Sequence, residues 1–299
     1  MSMFRLLFIS TALLPVFFSI YLALINPEKQ VENLVLQSKL DEALACLEKS
    51  KKNVFLRNDP RIFLAAACVL RQKKEYKPAL NELSKALDIT QRFPLLWTFK
   101  GFACEHKLLA DIYYQEALCY LELNDHETAL GALDDALKIE IDPDALYQRA
   151  LVLEYLGNLQ GAESDLKMAI EKSIEPAKKE LALHNRADYF IRQKQKDLAI
   201  IDYKAGLAQF ECARAYCELG RLALQDSLYD QAIEYFSKSI NKEETVNALR
   251  LRALTHTKIE EWKEAETDLD KALKLEPENA LAKEERQNVH KMLELQKAK

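Results

Sequence analysis

The sequence predicts an all-α protein in which about seven antiparallel helix pairs stack as an α-solenoid, preceded by one transmembrane helix. Three observations lead to this prediction: helix-breaking residues are scarce, a packing motif recurs along most of the chain, and one apolar run lies near the amino terminus. The 299 residues include six glycines and eight prolines, whereas the strong helix formers Leu, Ala, Glu and Lys dominate. With 49% hydrophobic residues, the chain has enough apolar material for a large core.

The apolar run is LLFISTALLPVFFSIYLALI, residues 6–25, and it contains no charged residue. As a helix it would be about 30 Å long, which matches the hydrocarbon core of a bilayer. We therefore predict an uncleaved N-terminal transmembrane segment, residues 1–27. A cleaved signal peptide and a buried core helix remain alternatives, although a signal peptide usually has a shorter run that ends in small residues and a core helix usually has a polar face.

The orientation of this segment rests on few charges. Arg5 precedes the run, and Lys29 and Lys39 follow it, so the distribution of basic residues favours neither side clearly. A short positive start before an apolar run is typical of a signal-anchor. We therefore expect a single-pass membrane protein whose remaining residues lie on the extracytoplasmic side.

A motif of small and large residues recurs along the rest of the chain. Its reference positions are Ala43, Ala79, Ala129, Ala162, Ala199, Ala232 and Ala265, which are 36, 50, 33, 37, 33 and 33 residues apart. Four residues after each alanine comes a large residue, and seven residues after it comes a small one, as in Ala265, Leu269 and Ala272. These offsets place all three on one helical face, where small residues allow a neighbouring helix to approach closely.

A preceding helix carries its own contact point in most copies. Twelve residues before the reference alanine stands another small residue: Ala67, Ala117, Ala150, Ala187, Gly220 or Ala253. Short polar turns such as LGNLQG separate the two helices. Each copy is therefore predicted to be an antiparallel helix pair that buries its apolar face by stacking on the next pair.

These copies resemble the tetratricopeptide repeat family. The segment ALYQRALVLEYLGN, residues 145–158, resembles the family's first helix, and AETDLDKALKLEP, residues 265–277, resembles its second. The resemblance covers residues 28–277 and implies a right-handed solenoid. Residues 278–299 are highly charged and are predicted to form a C-terminal capping helix.

One interval between successive reference alanines is longer than the others. The 50 residues between Ala79 and Ala129 leave an insertion near residues 93–107, FPLLWTFKGFACEHK, which is rich in aromatic residues. Two interpretations stay open. The insertion is either a lengthened or additional helix whose aromatic side chains pack internally, or an exposed aromatic anchor for a partner, with Trp97 as its candidate residue.

The sequence contains no signature of catalysis or cofactor binding. Phosphate-binding glycine loops, nucleophile elbows, zinc-protease motifs and paired CxxC motifs are all missing from the sequence, and the five histidines are well separated. A net charge of −5 also disfavours nucleic acid, because little basic charge is available to neutralise phosphates. We expect neither an enzyme nor a cofactor, metal or small-molecule site.

The resemblance places a partner-binding groove on the inner faces of the first helices, where the family holds a peptide or a segment of another protein. The matching positions in this chain are Tyr114, Gln115, Tyr147, Gln148, His184, Asn185, Asp188, Arg214, Arg221 and Arg250. We expect the three arginines to cluster toward the C-terminal repeats and to bind a peptide with an acidic group.

The sequence therefore predicts a membrane-anchored scaffold or assembly factor that binds another protein through this groove. The alternative is a periplasmic or secretory-pathway chaperone that transiently holds unfolded client segments. Transient contact with many clients would favour the chaperone, whereas one stoichiometric complex would favour the scaffold.

Overall fold

The computed structural model describes residues 27–53, 56–92 and 102–297, and within these residues it contains fifteen α-helices and no β-strand. The helices are α1 (Pro27–Leu36), α2 (Leu40–Lys51), α3 (Pro60–Gln72), α4 (Tyr76–Arg92), α5 (Phe102–Glu122), α6 (His126–Ile139), α7 (Pro143–Tyr155), α8 (Leu159–Lys172), α9 (Pro176–Arg192), α10 (Lys196–Gln209), α11 (Ala213–Gln225), α12 (Tyr229–Lys242), α13 (Val246–Lys258), α14 (Trp262–Leu275) and α15 (Ala280–Lys297). The all-helical prediction is confirmed for this part of the chain.

The predicted transmembrane run, residues 6–25, lies outside the described residues. Among the helices that the structure does describe, none combines the length and the apolar character needed to cross a bilayer.

The helices form two compact units. The N-terminal unit extends to Leu159 and contains α1–α7, and the C-terminal unit begins at Gln160 and contains α9–α15 with nearly all of α8. In the N-terminal unit the closest helix pairs are α3 with α4 and α5 with α6. In the C-terminal unit they are α9 with α10, α11 with α12 and α13 with α14, and α15 packs on α14. These are the helix pairs that the repeat spacing predicts.

The cores of both units are built from the predicted small and large residues. All seven reference alanines are fully buried, and the large residues four positions later are at most 3% exposed. Ala67, Ala117, Ala150, Ala187 and Ala253 on the first helices are equally inaccessible. Small side chains on one helix thus pack against large side chains of its partner helix. This is the packing that the offsets of four and seven residues predict.

The turn between the two helices of each pair has the same backbone conformation in all seven copies. A residue with positive φ follows the first helix at Ser38, Lys74, Asn124, Gly157, Lys194, Ser227 and Glu260. The amide after it returns to the carbonyl five residues earlier, as in Glu261 N–H to His256 O at 2.9 Å. This is a Schellman motif, which ends a helix with a left-handed residue. Each such residue stands five positions before its reference alanine.

Several first helices begin at a proline preceded by an acidic residue. Pro60, Pro143 and Pro176 occupy the first turns of α3, α7 and α9, where their missing N–H costs no helical hydrogen bond. Asp142 caps α7 by accepting a hydrogen bond from the Ala145 amide at 2.9 Å. These prolines therefore mark repeat boundaries.

The insertion is described in part. Helix α5 starts at Phe102 and spans 21 residues, so the C-terminal part of the insertion lengthens the first helix of the third pair. Residues 93–101, including Trp97, lie outside the described residues, and the proposed aromatic anchor stays a prediction.

Candidate functional site

The predicted inner-face positions of the C-terminal unit lie on neighbouring first helices. Asp188 in α9 accepts a hydrogen bond from Arg214 Nη2 in α11 at 3.0 Å. Asn247 Nδ2 in α13 lies 3.7 Å from the sulfur of Cys217 in α11 and donates to it. These contacts join α9, α11 and α13 along one side. We call this side the first-helix face, and define it by Leu181, Asp188, Arg214, Glu218, Arg221, Asn247, Arg250 and Leu254.

The three predicted arginines on this face are each paired with a carboxylate. Arg214 is paired with Asp188, and Arg221 Nε donates to Glu218 at 2.8 Å within α11. Arg250 makes two hydrogen bonds to Glu285 in α15, at 2.8 and 2.5 Å. Each arginine is therefore balanced by a carboxylate of its own or of a neighbouring helix, and the binding of an acidic peptide group by these arginines stays a prediction.

Two predicted contact residues lie in the interior. His184 and Asn185 on α9 are 2% and 9% exposed. The ring of Tyr203 meets the His184 ring edge-on, with centroids 5.0 Å apart, and the Tyr203 hydroxyl donates to Asp188 at 2.5 Å. Tyr203 fills the large-residue position of this repeat and covers the histidine. His184 and Asn185 are thus core residues in this structure and not surface contacts.

Burial also sets the protonation of His184. Neither ring nitrogen has a hydrogen-bond partner among the described residues, and Nε2 lies 3.6 Å from an Asp188 oxygen. Desolvation lowers the His184 pKa to about 4; Asp188 opposes this shift and Arg214 adds to it. The imidazole is therefore neutral at physiological pH.

The surface residues that remain on the first-helix face combine apolar and charged character. Leu181 on α9 is 43% exposed and Leu254 on α13 is 40% exposed. Arg214 is also exposed, while Glu218 and Arg221 are partly covered. This alternation of exposed leucine with paired charge is typical of a protein-contact surface, where apolar contact provides affinity and polar groups provide specificity.

The candidate residues of the N-terminal unit lie on α5 and α7. Gln115 Oε1 on α5 accepts a hydrogen bond from Arg71 Nε on α3 at 3.1 Å, which links two first helices as in the C-terminal unit. Tyr114 is half-buried, and burial, reinforced by the nearby carboxylates, raises its pKa to about 12. Tyr147 and Gln148 are partly exposed on α7. A binding role for these four residues stays a prediction.

Two buried ion pairs were not predicted. Arg186 on α9 binds Asp202 on α10 through two hydrogen bonds of 2.7 and 2.8 Å, and Arg252 on α13 binds Asp268 on α14 through two bonds of 2.7 Å. Both aspartates are 3% exposed. A sequence signal existed, because each arginine directly precedes the small residue of its first helix and each aspartate follows the reference alanine by three positions. The pairs join the two helices of a repeat and lie in its core.

The part of the chain that the structure describes shows no cluster of metal-binding side chains and no disulfide. No three His, Cys, Asp or Glu side chains there are arranged to hold a metal ion. The five cysteines described in full are free thiols, and Cys212 caps the start of α11.

Comparison with known proteins agrees with the repeat pattern. Residues 110–177 and 184–244 match the tetratricopeptide repeat model. These two segments are similar to tetratricopeptide repeats. The matched segments run from α5 into α12, and the same spacing and turn geometry continue into α13 and α14.

Several solved structures share the fold at low sequence identity. A repeat protein from Parabacteroides merdae is 20% identical, with a TM-score of 0.54 over 89% of this chain and 98% of that one. PilF of Pseudomonas aeruginosa is 16% identical, with a TM-score of 0.58 over 78% and 97%. PilW, a type IV pilus biogenesis factor, is 18% identical, with a TM-score of 0.56 over 77% and 97%. The comparison with curated protein sequences found no match.

Proposed function

We propose that this chain is a scaffold or assembly factor without catalytic activity, which binds a segment of another protein. The observation that supports the proposal best is the first-helix face of the C-terminal unit, where exposed Leu181 and Leu254 flank paired charges. Such a face offers a partner apolar contact without isolated charges that would cost free energy to desolvate.

The tetratricopeptide repeat supports the same role. Its helix pairs stack side by side and present their first helices together, so several repeats contribute to one extended contact surface. One structure of this fold belongs to PilW, a pilus biogenesis factor, and an assembly role for this chain would be of the same kind.

We further propose that residues 6–25 anchor the chain in a membrane and that the repeats lie on the extracytoplasmic side. The support is the twenty-residue uncharged run and the short basic start before it. An anchor of this kind would hold the repeats beside a membrane-bound assembly and raise the local concentration of its components.

Crosslinking and affinity capture from intact membranes test the binding surface. We expect Leu181→Glu and Leu254→Glu each to reduce recovery of the partner about tenfold, because a charge replaces apolar contact on the face. Leu198→Glu is the matched control, since Leu198 is 44% exposed on α10, a second helix. Equal recovery with all three variants, at normal helical circular dichroism, would remove the first-helix face from the proposal.

The same capture separates a scaffold from a chaperone. One partner recovered at a fixed ratio supports the scaffold, whereas many clients recovered at low occupancy support the chaperone.

Labelling of Lys263→Cys in intact cells with a membrane-impermeant thiol reagent tests the orientation, because Lys263 is exposed at the start of α14. Labelling above that of the unsubstituted chain supports the extracytoplasmic placement, and labelling only after lysis contradicts it.

A further inference from the structure

The last helix, α15, has two apolar stripes. Ala282, Val289 and Leu293 form the first stripe, which is at most 4% exposed. Val289 and Leu293 pack in one cluster with Ala265 and Leu269 of α14. This stripe closes the core of the final repeat, as a capping helix is expected to do.

The second stripe is exposed to solvent. Leu281, Met292 and Leu295 are 57%, 40% and 51% exposed. At 100° per residue they fall within about 60° of one another on the helical wheel, and the stripe is about 21 Å long. The solvent-exposed face of a helix is usually polar. An exposed line of two leucines and a methionine indicates that another helix packs there.

We propose that this stripe binds the same stripe of a second copy of the chain, with the two α15 helices antiparallel. A two-fold axis beside Asn288 would place Leu281 of each copy opposite Leu295 of the other. Met292 would fill the space between these contacts. Asn288 is exposed and lies in the middle of the stripe, where two asparagine side chains can hydrogen-bond across the axis and fix the register.

Charge complementarity identifies the partner as a second copy. Glu284 and Lys291 lie on the same edge of the stripe, four residues before and three residues after Asn288. In an antiparallel pair, equivalent edges adjoin, so Glu284 of each copy lies beside Lys291 of the other within about one residue rise. A parallel pair would instead place Glu284 beside Glu285 of the second copy, which offers no attraction because Glu285 is a carboxylate already paired with Arg250.

Both charged residues are available for this contact. Glu284 and Lys291 are exposed, and neither has an ion-pair partner among the residues that the structure describes. Neighbouring charges differ in this respect, because Glu285 is held by Arg250 and Arg286 by Asp270. The buried area would be that of one helix pair, so the dimer belongs to the small, reversible class. It does not depend on the first-helix face.

Charge exchange on the full chain, solubilised in mild detergent, tests the proposal by sedimentation equilibrium. We expect a monomer–dimer equilibrium whose dissociation constant rises about tenfold with Glu284→Lys and with Lys291→Glu, because each change turns two attractions into two repulsions. The double variant E284K/K291E restores both pairs in reverse, and dimerisation should recover. A chain that is monomeric at every concentration, or a double variant as weak as the singles, would overturn the proposal.

A cysteine crosslink tests the axis itself. Asn288→Cys should give a covalent dimer with a short thiol crosslinker, since the two introduced thiols would meet at the two-fold axis. Lys283→Cys is the control, because Lys283 lies about 140° from Asn288 around the same helix. Equal dimer yields from the two variants would contradict the antiparallel contact, and a yield confined to N288C would support it.

Discussion

Gly220 of α11 lies directly against the ring of Phe236 of α12. A methyl group at Gly220 would be 2.7 Å from Cε1 of Phe236, which is closer than carbon atoms approach without displacement. Phe236 is fully buried, so the ring has little room to move. The next repeat fills the equivalent positions with Ala253 and Leu269. Compared with the next repeat, this one therefore has a smaller residue on its first helix and a larger residue on its second. The two differences compensate each other in volume at the contact.

We predict that Gly220→Ala lowers the free energy of unfolding by about 1–3 kcal/mol, because it overpacks this contact. The double variant G220A/F236L recreates the alanine–leucine combination of the next repeat. It should therefore be more stable than the sum of its single changes predicts. Chemical denaturation of all four proteins gives the coupling free energy, and strictly additive effects would show that the two residues do not share space.

Protonation of His184 should weaken the fold in mild acid. Its folded pKa of about 4 lies below the ordinary value of 6.5, so the unfolded chain takes up this proton first as the pH falls. The stabilisation is complete above pH 6.5 and is lost progressively toward pH 4, for a total of about 3 kcal/mol. Glu180, Asp188, Tyr203 and Arg214 surround the ring.

Urea unfolding between pH 7 and pH 4 measures this dependence. His184→Leu removes the titrating group, and its stability should fall less steeply over this range than that of the unsubstituted chain. His290→Gln is the control, because the side chain of His290 is 55% exposed. Parallel pH profiles for H184L and the unsubstituted chain would mean that His184 is protonated in the folded state as readily as in the unfolded state.

The buried pair Arg252–Asp268 should matter far more than an exposed pair of the same type. Arg252→Ala leaves a carboxylate that is 3% exposed without its cation, and we expect a loss of about 3–5 kcal/mol. Arg214→Ala removes an exposed partner of Asp188 and should cost less than about 1 kcal/mol. Thermal unfolding compares the two variants. A similar small loss for both would mean that Asp268 becomes hydrated when the arginine is removed.

Substitutions at two of the left-handed turn residues, Glu260 and Gly157, should change stability in opposite directions. Glu260 has φ of 62° and Gly157 has φ of 82°. A residue with a side chain is less favourable than glycine in this conformation by about 1 kcal/mol. We therefore expect Glu260→Gly to stabilise the chain by about 0.5–1 kcal/mol and Gly157→Ala to destabilise it by a similar amount. Denaturation midpoints test both, and a loss of stability in E260G would contradict the prediction.

Most of the fold could be predicted from the sequence because its packing is local and periodic. Ala265, Leu269 and Ala272 lie on one helical face by spacing alone, and all three are buried as expected. The surface was harder to predict because its residues interact across large sequence distances. Glu285 stands 35 residues after Arg250, on a helix that belongs to no complete repeat, and spacing within a repeat does not reveal this ion pair.

The burial of His184 was missed for a related reason. Arg250 occupies the same repeat position as His184, yet its side chain is 21% exposed while that of His184 is 2% exposed. The difference comes from the partner helix. Tyr203 replaces the usual leucine, and its longer side chain reaches over the histidine to Asp188. A prediction that treats all repeats as equivalent cannot distinguish these two positions.

The regular offset between each left-handed residue and its reference alanine has an evolutionary consequence. A segment cut from Ser227 to Glu260 begins and ends at the same point of the helix–turn–helix cycle. Duplication or deletion of this segment would therefore join two equivalent positions of the turn. Each flanking helix would then pack against a helix of the same type as before. Chains of this design can therefore change length by whole helix pairs without inventing a new interface.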